Sequence, residues 1–300
     1  MLNYIYSIID HLVTCYLFFL PDKMYLTLKY RCLMGHWIPW KNPRSFTEKL
    51  QWLKIYDRNP KYTMMVDKFA VKEYVASVIG DEYVIPTLGV WDAPEDIDWD
   101  ILPQKFVLKT THSGGSTGVI ICRDKSNFDR HTAIVKLRRS LDSDIFLSLR
   151  EWPYKNVKKR IVAEELIQAN HHENEMINDF KFFCFNGIPQ FCQVIRGRGF
   201  NETINFYDMN WNQQEFVGLG SKCNKGVTLV ECPANLNRVI EHCKLLSKDI
   251  PFVRVDIYLV DDREYFSELT FYPYSGLGKF TPDEWDYKLG RLISITGIKQ

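Results

Sequence analysis

The sequence lacks an excess of charge of either sign, because its 300 residues carry 38 Lys and Arg against 37 Asp and Glu. A net charge of +1 excludes the global basic field that holds nucleic-acid backbones, so no nucleic-acid partner is expected. The eight cysteines include no Cys-x-x-Cys pair, which disfavours a zinc site. A chain of this size needs no disulfide staples, and we expect reduced core thiols in a cytoplasmic protein.

A long hydrophobic run is also missing. The longest candidate, residues 12–20, is far shorter than the roughly 20 apolar residues of a spanning helix. Neither a basic start nor a small-residue cleavage site marks a signal peptide. The apolar positions of residues 5–20 follow helical spacing, which predicts a helix packed on its own domain. The alternative is peripheral contact of residues 1–20 with the inner membrane surface, because Lys23, Lys29 and Arg31 follow and suit anionic headgroups.

Internal repeats and long Gly/Ser linkers are absent, so the elements are read from changes in hydrophobic period. Residues 1–60 are predicted to be helical, with a capping box at Ser45 to Glu48. Further helices are predicted over 67–79, 127–141 and 235–248. Strands are predicted over 83–85, 106–109, 119–122, 161–167, 180–186, 191–195, 204–207, 253–259 and 264–269. Several strands are separated only by turns, so we expect an α+β fold of two lobes with ligand in the cleft between them.

A polar, glycine-rich loop over residues 109–118 stands between two apolar strands. Such a loop can fold its exposed amides over phosphate oxygens, and Lys109 at its start would reach the same phosphates. It is not a Walker A loop, since no Gly-Lys-Ser/Thr ends it and no helix follows. We therefore predict a flap carried on a hairpin, while glycine-rich hairpins without any ligand are also common.

Two acidic residues, Asp256 and Glu268, flank a short turn in the C-terminal third. If residues 261–263 form a three-residue turn, both carboxylates lie six positions from its centre and face each other across a hairpin. Facing carboxylates repel each other and are costly to desolvate unless a cation lies between them. Mg²⁺ arriving with nucleotide phosphates is the favoured cation, because it prefers oxygen ligands. The alternative is a solvated strand face with Arg254 as the counter-ion.

Two further patterns are less specific. Residues 160–167, an apolar strand that runs into Glu164 and Glu165, fit an interlobe hinge with main-chain contacts to adenine, or equally a strand ending in surface acids. Asp179 and Lys181 share one strand face, which is typical of an acid and a base on a solvated face. The histidines near these segments are expected to have surface or packing roles: His112, His171 and His172.

The order of these elements resembles an ATP-grasp nucleotide site, and the chain resembles the TupA-like ATP-grasp family found in surface-polysaccharide gene clusters. The resemblance begins with Asn-Pro-Arg-Ser-Phe-Thr-Glu-Lys-Leu-Gln-Trp-Leu-Lys at Asn42 and ends with Phe-Tyr-Pro-Tyr-Ser-Gly-Leu-Gly-Lys-Phe-Thr-Pro at Pro282. Between these ends lie, in order, Val66-Asp67-Lys68, the strand that ends at Lys109, the Ser/Gly/Thr loop, Ala163 to Leu166, Asp179 to Lys181, Arg254 to Asp256 and Glu268 to Thr270. The resemblance implies an ATP-grasp fold of two lobes, residues 61–165 and 166–300, with a helical N-terminal extension over residues 1–60.

The same resemblance implies ATP and Mg²⁺ as cofactors. Lys68 and Lys109 would contact ATP phosphates, and Asp179 the ribose or a metal water. Lys181 and Arg254 would be the catalytic residues, with Lys181 on the phosphates and Arg254 on the transferred phosphoryl group. The phosphates would be covered by Ser113, Gly114, Gly115, Ser116, Thr117 and Gly118. The adenine would be held by Glu164, Glu165 and Leu166. Magnesium would be bound by Asp256, Glu268 and Thr270.

Two features depart from the family pattern. Thr270 stands where many ATP-grasp enzymes have Asn, so the number of metal ions stays open. Helical residues replace a separate preceding domain, so the acceptor pocket is not identified. The resemblance implies an ATP-dependent ligase that joins a carboxylate of a surface glycan, expected to contain uronic acid, to an amine such as an amino acid. The alternatives are a phosphotransferase acting on a glycan hydroxyl, a glycosyltransferase and a protein that binds nucleotide without turnover.

Overall fold

The computed structural model describes residues 14, 16–115, 117–168, 178–197, 202–219, 225–226, 228–261 and 263–298. The predicted helix within residues 5–20 therefore lies mostly outside the described residues. In the described part of the chain, no helix is long and apolar enough to cross a bilayer.

Helices dominate the N-terminal part: α1 (Asp22–Met34), α2 (Phe46–Tyr56), α3 (Lys61–Val66) and α4 (Val71–Ile79). The predicted capping box is confirmed, because Ser45 and Glu48 each accept a hydrogen bond from the other's backbone N–H. The helix predicted over 67–79 begins later than expected. The Asp67 carboxylate accepts hydrogen bonds from the backbone amides of Phe69 and Ala70, at 2.8 and 3.1 Å. This turn leaves Lys68 between two helices.

A four-stranded antiparallel sheet forms the first lobe, in the order β1-β4-β2-β3. Its strands are β1 (Thr87–Trp91), β2 (Phe106–Thr110), β3 (Val119–Cys122) and β4 (Ile161–Glu165). Two helices lie between β3 and β4 in the chain, α5 (Arg130–Asp142) and α6 (Ile145–Leu149). The lobe has its own hydrophobic cluster, in which Phe106, Leu108 and Leu137 are fully buried. The predicted hairpin around the glycine-rich loop is confirmed as β2 and β3.

The strand predicted over 83–85 is wrong. Asp81–Tyr83 form a short 3-10 helix, and Val84 makes only an isolated bridge to Phe266. The strand begins after Pro86 instead, because proline has no N–H group to donate to a ladder.

A five-stranded antiparallel sheet forms the second lobe, in the order β10-β9-β5-β6-β7. Its strands are β5 (Asp179–Phe185), β6 (Ile188–Arg196), β7 (Thr203–Asp208), β9 (Phe252–Val260) and β10 (Arg263–Thr270). The remaining elements are β8 (Val217–Gly218), which pairs with β11 (Phe280–Thr281), and the helices α7 (Leu236–Leu246) and α8 (Glu284–Leu292). These two mixed lobes confirm the expected α+β class.

One face of the five-stranded sheet changes character along its strands. At one end Phe183 and Phe252 pack with Phe46 of α2, whose ring centroid lies 4.9 Å from that of Phe252. Two and four residues further along β9, the same face carries Arg254 and Asp256. Helix α2 therefore shares a hydrophobic core with the second lobe. The predicted division of the chain into an N-terminal extension and two lobes, with boundaries at residues 60 and 165, stays a prediction.

The cysteines mostly follow the expectation of reduced core thiols. Of those described, Cys122, Cys184, Cys192 and Cys243 are buried free thiols, and Cys32 is also buried. The expectation is wrong for one thiol, because Cys232 is free but exposed. Cys15 and Cys223 lie outside the described residues.

Candidate functional site

The charged end of the five-stranded sheet centres on Asp256, which is 2% exposed. Strand pairing places Lys181 directly beside it, and side-chain alternation places Arg254 on the same face. Lys181 Nζ lies 2.5 Å from Asp256 Oδ2, while Arg254 Nε and Nη2 contact Oδ1 and Oδ2 at 2.6 and 2.7 Å. The fork of Arg254 thus holds both carboxylate oxygens, in a geometry typical of strong charge-assisted pairs.

The predicted pairing of Asp256 with Glu268 is confirmed, but the predicted turn is wrong. Arg263 pairs with Val260, so only two residues connect the strands. A two-residue connection alone would bring Ser267 opposite Asp256. The register shifts by one residue between Phe266 and Glu268, and this β-bulge restores the pairing of the two carboxylates.

Glu268 is held by weaker and longer contacts than Asp256. Its carboxylate lies 3.4 Å from Lys68 Nζ, 3.5 Å from Arg254 Nη2 and 3.5 Å from the Thr270 hydroxyl. Burial acts to raise its pKa, but Lys68, Lys181 and Arg254 outweigh that effect and lower the pKa from 4.5 to about 2. Glu268 is therefore an anion at any physiological pH.

Lys68 connects the charged sheet face to the glycine-rich loop. Its Nζ donates a hydrogen bond to the Ser113 carbonyl at 2.5 Å, and its backbone N–H donates to the Thr111 carbonyl at 3.0 Å. The ammonium group is only 9% exposed and also lies near Glu268. The loop, Lys68 and the carboxylate pair are thus brought together at one place between the two lobes.

The loop itself has a buried base and an open tip. Ser113 is 1% exposed, and His112 is buried with Nε2 3.1 Å from the Ser140 carbonyl, which confirms a packing role for this histidine. Gly118 (φ +72°) is required by packing, because a Cβ there would lie 2.3 Å from Thr110 Oγ1 and 2.2 Å from Ser140 Oγ. Gly115 (φ +59°) has nothing within 4 Å of an added Cβ.

Gly114 and Thr117 also lie in the described loop, whereas Ser116 lies outside the described residues. A Cβ on Gly114 would meet only Ile145 Cδ1, at 3.5 Å. The tip therefore has the space for its amides to approach a ligand.

A second charged group lies on the four-stranded sheet. Glu164 on β4 is buried, and its two oxygens contact two different lysines, with Lys109 Nζ at 2.5 Å from Oε2 and Lys72 Nζ at 2.6 Å from Oε1. Burial opposes ionisation of Glu164, yet Lys109 and Lys72 together lower its pKa. The expectation of surface acids is therefore wrong for Glu164, while Glu165 is exposed.

The segment after Glu164 was expected to hold adenine through its main chain. The Glu165 N–H donates to the Pro86 carbonyl at 3.2 Å, so this amide already has a protein partner. Leu166 follows the end of β4 and is half-buried. An adenine contact along this segment would therefore use main-chain groups other than the Glu165 amide.

Two acid–base pairs were expected on solvated strand faces, Asp179 with Lys181 and Asp256 with Arg254, and this expectation is wrong for both. Lys181 is 5% exposed and lies 3.7 Å from Asp179, whose side chain is 12% exposed. Arg254 does act as the counter-ion of Asp256, as the alternative interpretation expected, but the pair is buried rather than solvated. Both side-chain pairs are therefore largely shielded from solvent.

The donor set can be tested for Mg²⁺. Among the described residues, no group of three or more His, Cys, Asp or Glu side chains lies close enough together to hold a metal ion. Asp256 and Glu268 do meet as a pair, with the Thr270 hydroxyl beside them. Mg²⁺ commonly takes one or two carboxylates and completes its shell with phosphates and water, so the pair fits this ion when nucleotide accompanies it.

The cluster as a whole carries a small positive charge. Its cations Lys68, Lys72, Lys109, Lys181 and Arg254 give +5, and its anions Glu164, Asp179, Asp256 and Glu268 give −4. Lys72 was not predicted as a member of this cluster, and it lies in the first turn of α4, four residues after Lys68.

A sequence model of the family described as TupA-like ATPgrasp matches residues 48–294. No curated protein matches.

Several solved ligases and ATP-grasp proteins resemble the structure distantly. D-alanine–D-alanine ligase from Bacillus anthracis is 19% identical with a TM-score of 0.41, over 69% of this chain and 57% of the ligase. The Helicobacter pylori enzyme is 14% identical with a TM-score of 0.44, over 84% and 68%. A RimK-domain ATP-grasp protein from Sphaerobacter thermophilus is 13% identical with a TM-score of 0.41, over 77% and 69%. The chain thus spans little more than half the length of the first of these proteins.

Proposed function

This chain belongs to the TupA-like ATP-grasp family, and we propose that it is an ATP- and Mg²⁺-dependent ligase that joins a carboxylate to an amine. The observation that carries the proposal is the convergence of Lys68, Lys181 and Arg254 on the Asp256–Glu268 pair, beneath the glycine-rich loop. Three cations around a pair of carboxylates suit a polyphosphate that arrives with a divalent ion. We also propose that the substrate carboxylate belongs to a surface glycan, as a uronic acid, and that an amino acid can supply the amine.

The proposed reaction has two steps. A substrate carboxylate oxygen attacks the γ-phosphorus of ATP, the bond from that phosphorus to the β-phosphate oxygen breaks, and ADP leaves as an acyl phosphate forms. The amine nitrogen then attacks the acyl carbon, phosphate departs with the bond electrons, and the nitrogen loses a proton to give the amide. Neither step requires a protein nucleophile.

The residues of the chain have distinct proposed roles in this reaction. Lys68 and Lys109 bind phosphates, residues 113–118 cover them, and residues 164–166 hold the adenine. Asp179 contacts the ribose or a metal water. Lys181 and Arg254 neutralise the transferred phosphoryl group, where charge spreads over its oxygens in the transition state. Bound Mg²⁺, held by Asp256, Glu268 and Thr270, would shield the phosphate charges from the incoming carboxylate.

Binding of MgATP would exchange the ion-pair partners of the site's cations and carboxylates. Lys181 and Arg254 now hold Asp256, and Lys68 lies near Glu268. With MgATP bound, these cations would pair with the phosphates and the two carboxylates would hold the metal ion, so no buried charge would be left without a partner. The resting ion pairs thus keep the site folded and charged until the nucleotide arrives.

The test separates a ligase from a phosphotransferase. Acceptors such as uronic acids are first screened for stimulation of ADP release, and hydroxylamine is then added in place of the amine. An acyl phosphate is electrophilic, so a ligase gives a hydroxamate and free phosphate. Stimulated ADP release with no hydroxamate, and phosphorus found on a sugar hydroxyl, would replace the ligase with a phosphotransferase.

We further propose that the N-terminal end of the chain touches a lipid surface. Tyr16, Phe18 and Phe19 are 66%, 54% and 69% exposed, and the cation Lys23 follows them. Exposed aromatic rings next to an exposed lysine suit the headgroup region of an anionic bilayer, whereas the expected contribution of Lys29 is wrong because this lysine is only 4% exposed. This location would bring the cleft near a lipid-linked acceptor.

A further inference from the structure

Lys72 has no role in the proposed reaction, although its surroundings are well defined. It lies on α4, and its side chain is only 12% exposed. The ammonium group contacts Glu164 Oε1 at 2.6 Å and donates a hydrogen bond to the Ile85 carbonyl at 2.7 Å. Burial acts to lower the pKa of Lys72, and Glu164 offsets part of that effect. Two fixed acceptors therefore hold this ammonium between α4 and β4.

Lys109 contacts the same carboxylate in a different way. Its Nζ lies 2.5 Å from Glu164 Oε2, and no backbone carbonyl of the described residues accepts a hydrogen bond from it. Glu164 is thus the anion that anchors this ammonium, whereas the Lys72 ammonium has the Ile85 carbonyl as a second acceptor. An ammonium held in this way can rotate toward another anion more readily than one anchored to a carbonyl, as Lys72 is.

If Lys109 moved away and Lys72 were missing, the Glu164 carboxylate would have lost both of the lysines that now contact it. The Glu164 side chain is 5% exposed, and a buried carboxylate without a counter-ion is strongly destabilising. At Asp256 the metal ion can replace the departing cations. At Glu164 no second carboxylate is paired with it in the way that Glu268 is paired with Asp256, because the residues opposite it on the neighbouring strands are Thr87 and Val107.

We propose that Lys72 is a positioning residue that keeps the buried Glu164 carboxylate paired while Lys109 turns from it to the nucleotide phosphates. This inference rests on the proposed function, in which Lys109 binds phosphate. Lys72 itself touches no substrate. It makes Lys109 available, and its loss should weaken nucleotide binding rather than slow the chemical step.

The test measures MgATP binding by calorimetry, without acceptor, in the full-length protein. Lys72→Met should weaken binding at least tenfold, because Lys109 must then stay with Glu164. Lys72→Arg should bind within threefold of the wild type, because the guanidinium keeps the charge. In Lys72→Met/Glu164→Gln no buried anion needs a partner, so the double variant should bind MgATP as Glu164→Gln does. With an acceptor present, Lys72→Met should raise KM for ATP with little change in kcat.

Lys49→Met is the matched control for the loss of a partly buried helix lysine. Lys49 lies on α2 and donates to the Ile293 carbonyl at 2.7 Å. Its replacement should lower stability without changing MgATP affinity. Should Lys72→Met fail to fold, the comparison of Glu164→Gln with the double variant and the Lys72→Arg result still decide the matter.

Three results would overturn the inference. Binding of MgATP by Lys72→Met as tight as by the wild type would contradict it, as would a double variant whose loss is the sum of the two single losses. Each of these leaves the proposed function intact. If the wild-type protein binds no MgATP at all, the proposed function fails and the inference fails with it.

Discussion

Replacement of Asp256 by Asn tests how the site is held together. The amide has nearly the shape of the carboxylate, but it removes the charge that Lys181 and Arg254 share at 2.5 to 2.7 Å. Both cations are at most 7% exposed, so they would face each other with little water to screen them. Loss of one partner of a buried ion pair costs about 3 to 5 kcal/mol. Because the amide oxygen still accepts one hydrogen bond, we expect the free energy of unfolding to fall by about 3 kcal/mol.

The assay is equilibrium unfolding in urea, followed by tryptophan fluorescence at pH 7. Glu268→Gln is the matched control, since its carboxylate is 26% exposed and its cation contacts are 3.4 Å or longer. The control should lose about 1 kcal/mol, because a more exposed and longer pair contributes less. Both variants should lose ADP formation. A loss below 1 kcal/mol in Asp256→Asn, or a larger loss in the control, would refute the ion-pair account of this site.

Three further outcomes are expected. The pKa of Glu268 is lowered from 4.5 to about 2, so its contribution to stability is present above pH 4.5 and is lost as pH falls toward 2; the pH slope of unfolding in that window should therefore be smaller in Glu268→Gln. Gly115→Val should weaken ATP binding in calorimetry, whereas Gly118→Val should chiefly lower thermal stability, and equal effects would contradict the assigned loop geometry. Exchange of Phe18 and Phe19 for Ser should reduce co-sedimentation with anionic vesicles; unchanged sedimentation would exclude the proposed lipid contact.

Much of the fold was predictable from the sequence because local patterns dominate it. The capping box before α2 and the apolar strands β2 and β3 depend on neighbouring residues alone, and all three were predicted correctly. Strand β1 was missed because Gly89 interrupts its apolar pattern and Pro86 precedes it. The family resemblance is confirmed by the match over residues 48–294.

The pairing of Asp256 with Glu268 was predictable from the sequence, but the contacts that hold the two carboxylates were not. Asp256 and Glu268 pair because a two-residue connection and a β-bulge compensate for each other, and neither feature has a sequence signature here. Which cation holds which carboxylate depends on packing between the lobes. Lys72 contacts Glu164 across a separation of 92 positions, so no local spacing rule could have connected them.

Under the proposed function, the resting ion pairs predict that the metal ion and the nucleotide bind together. Mg²⁺ alone would have to displace Lys181 and Arg254 from Asp256, which would leave Lys181 only its longer, 3.7 Å contact with Asp179 and would cost Arg254 its closest anion. MgATP avoids this penalty, because its phosphates supply new anions for the same cations. Ligand binding raises the unfolding free energy by about 2.7 kcal/mol at a hundredfold excess over Kd, so thermal unfolding reports it directly. We expect millimolar Mg²⁺ alone to leave the midpoint unchanged, and Mg²⁺ with a non-hydrolysable ATP analogue to raise it by several degrees. An equal rise with Mg²⁺ alone would show that the carboxylates accept metal without the nucleotide, and the exchange of partners would then be wrong.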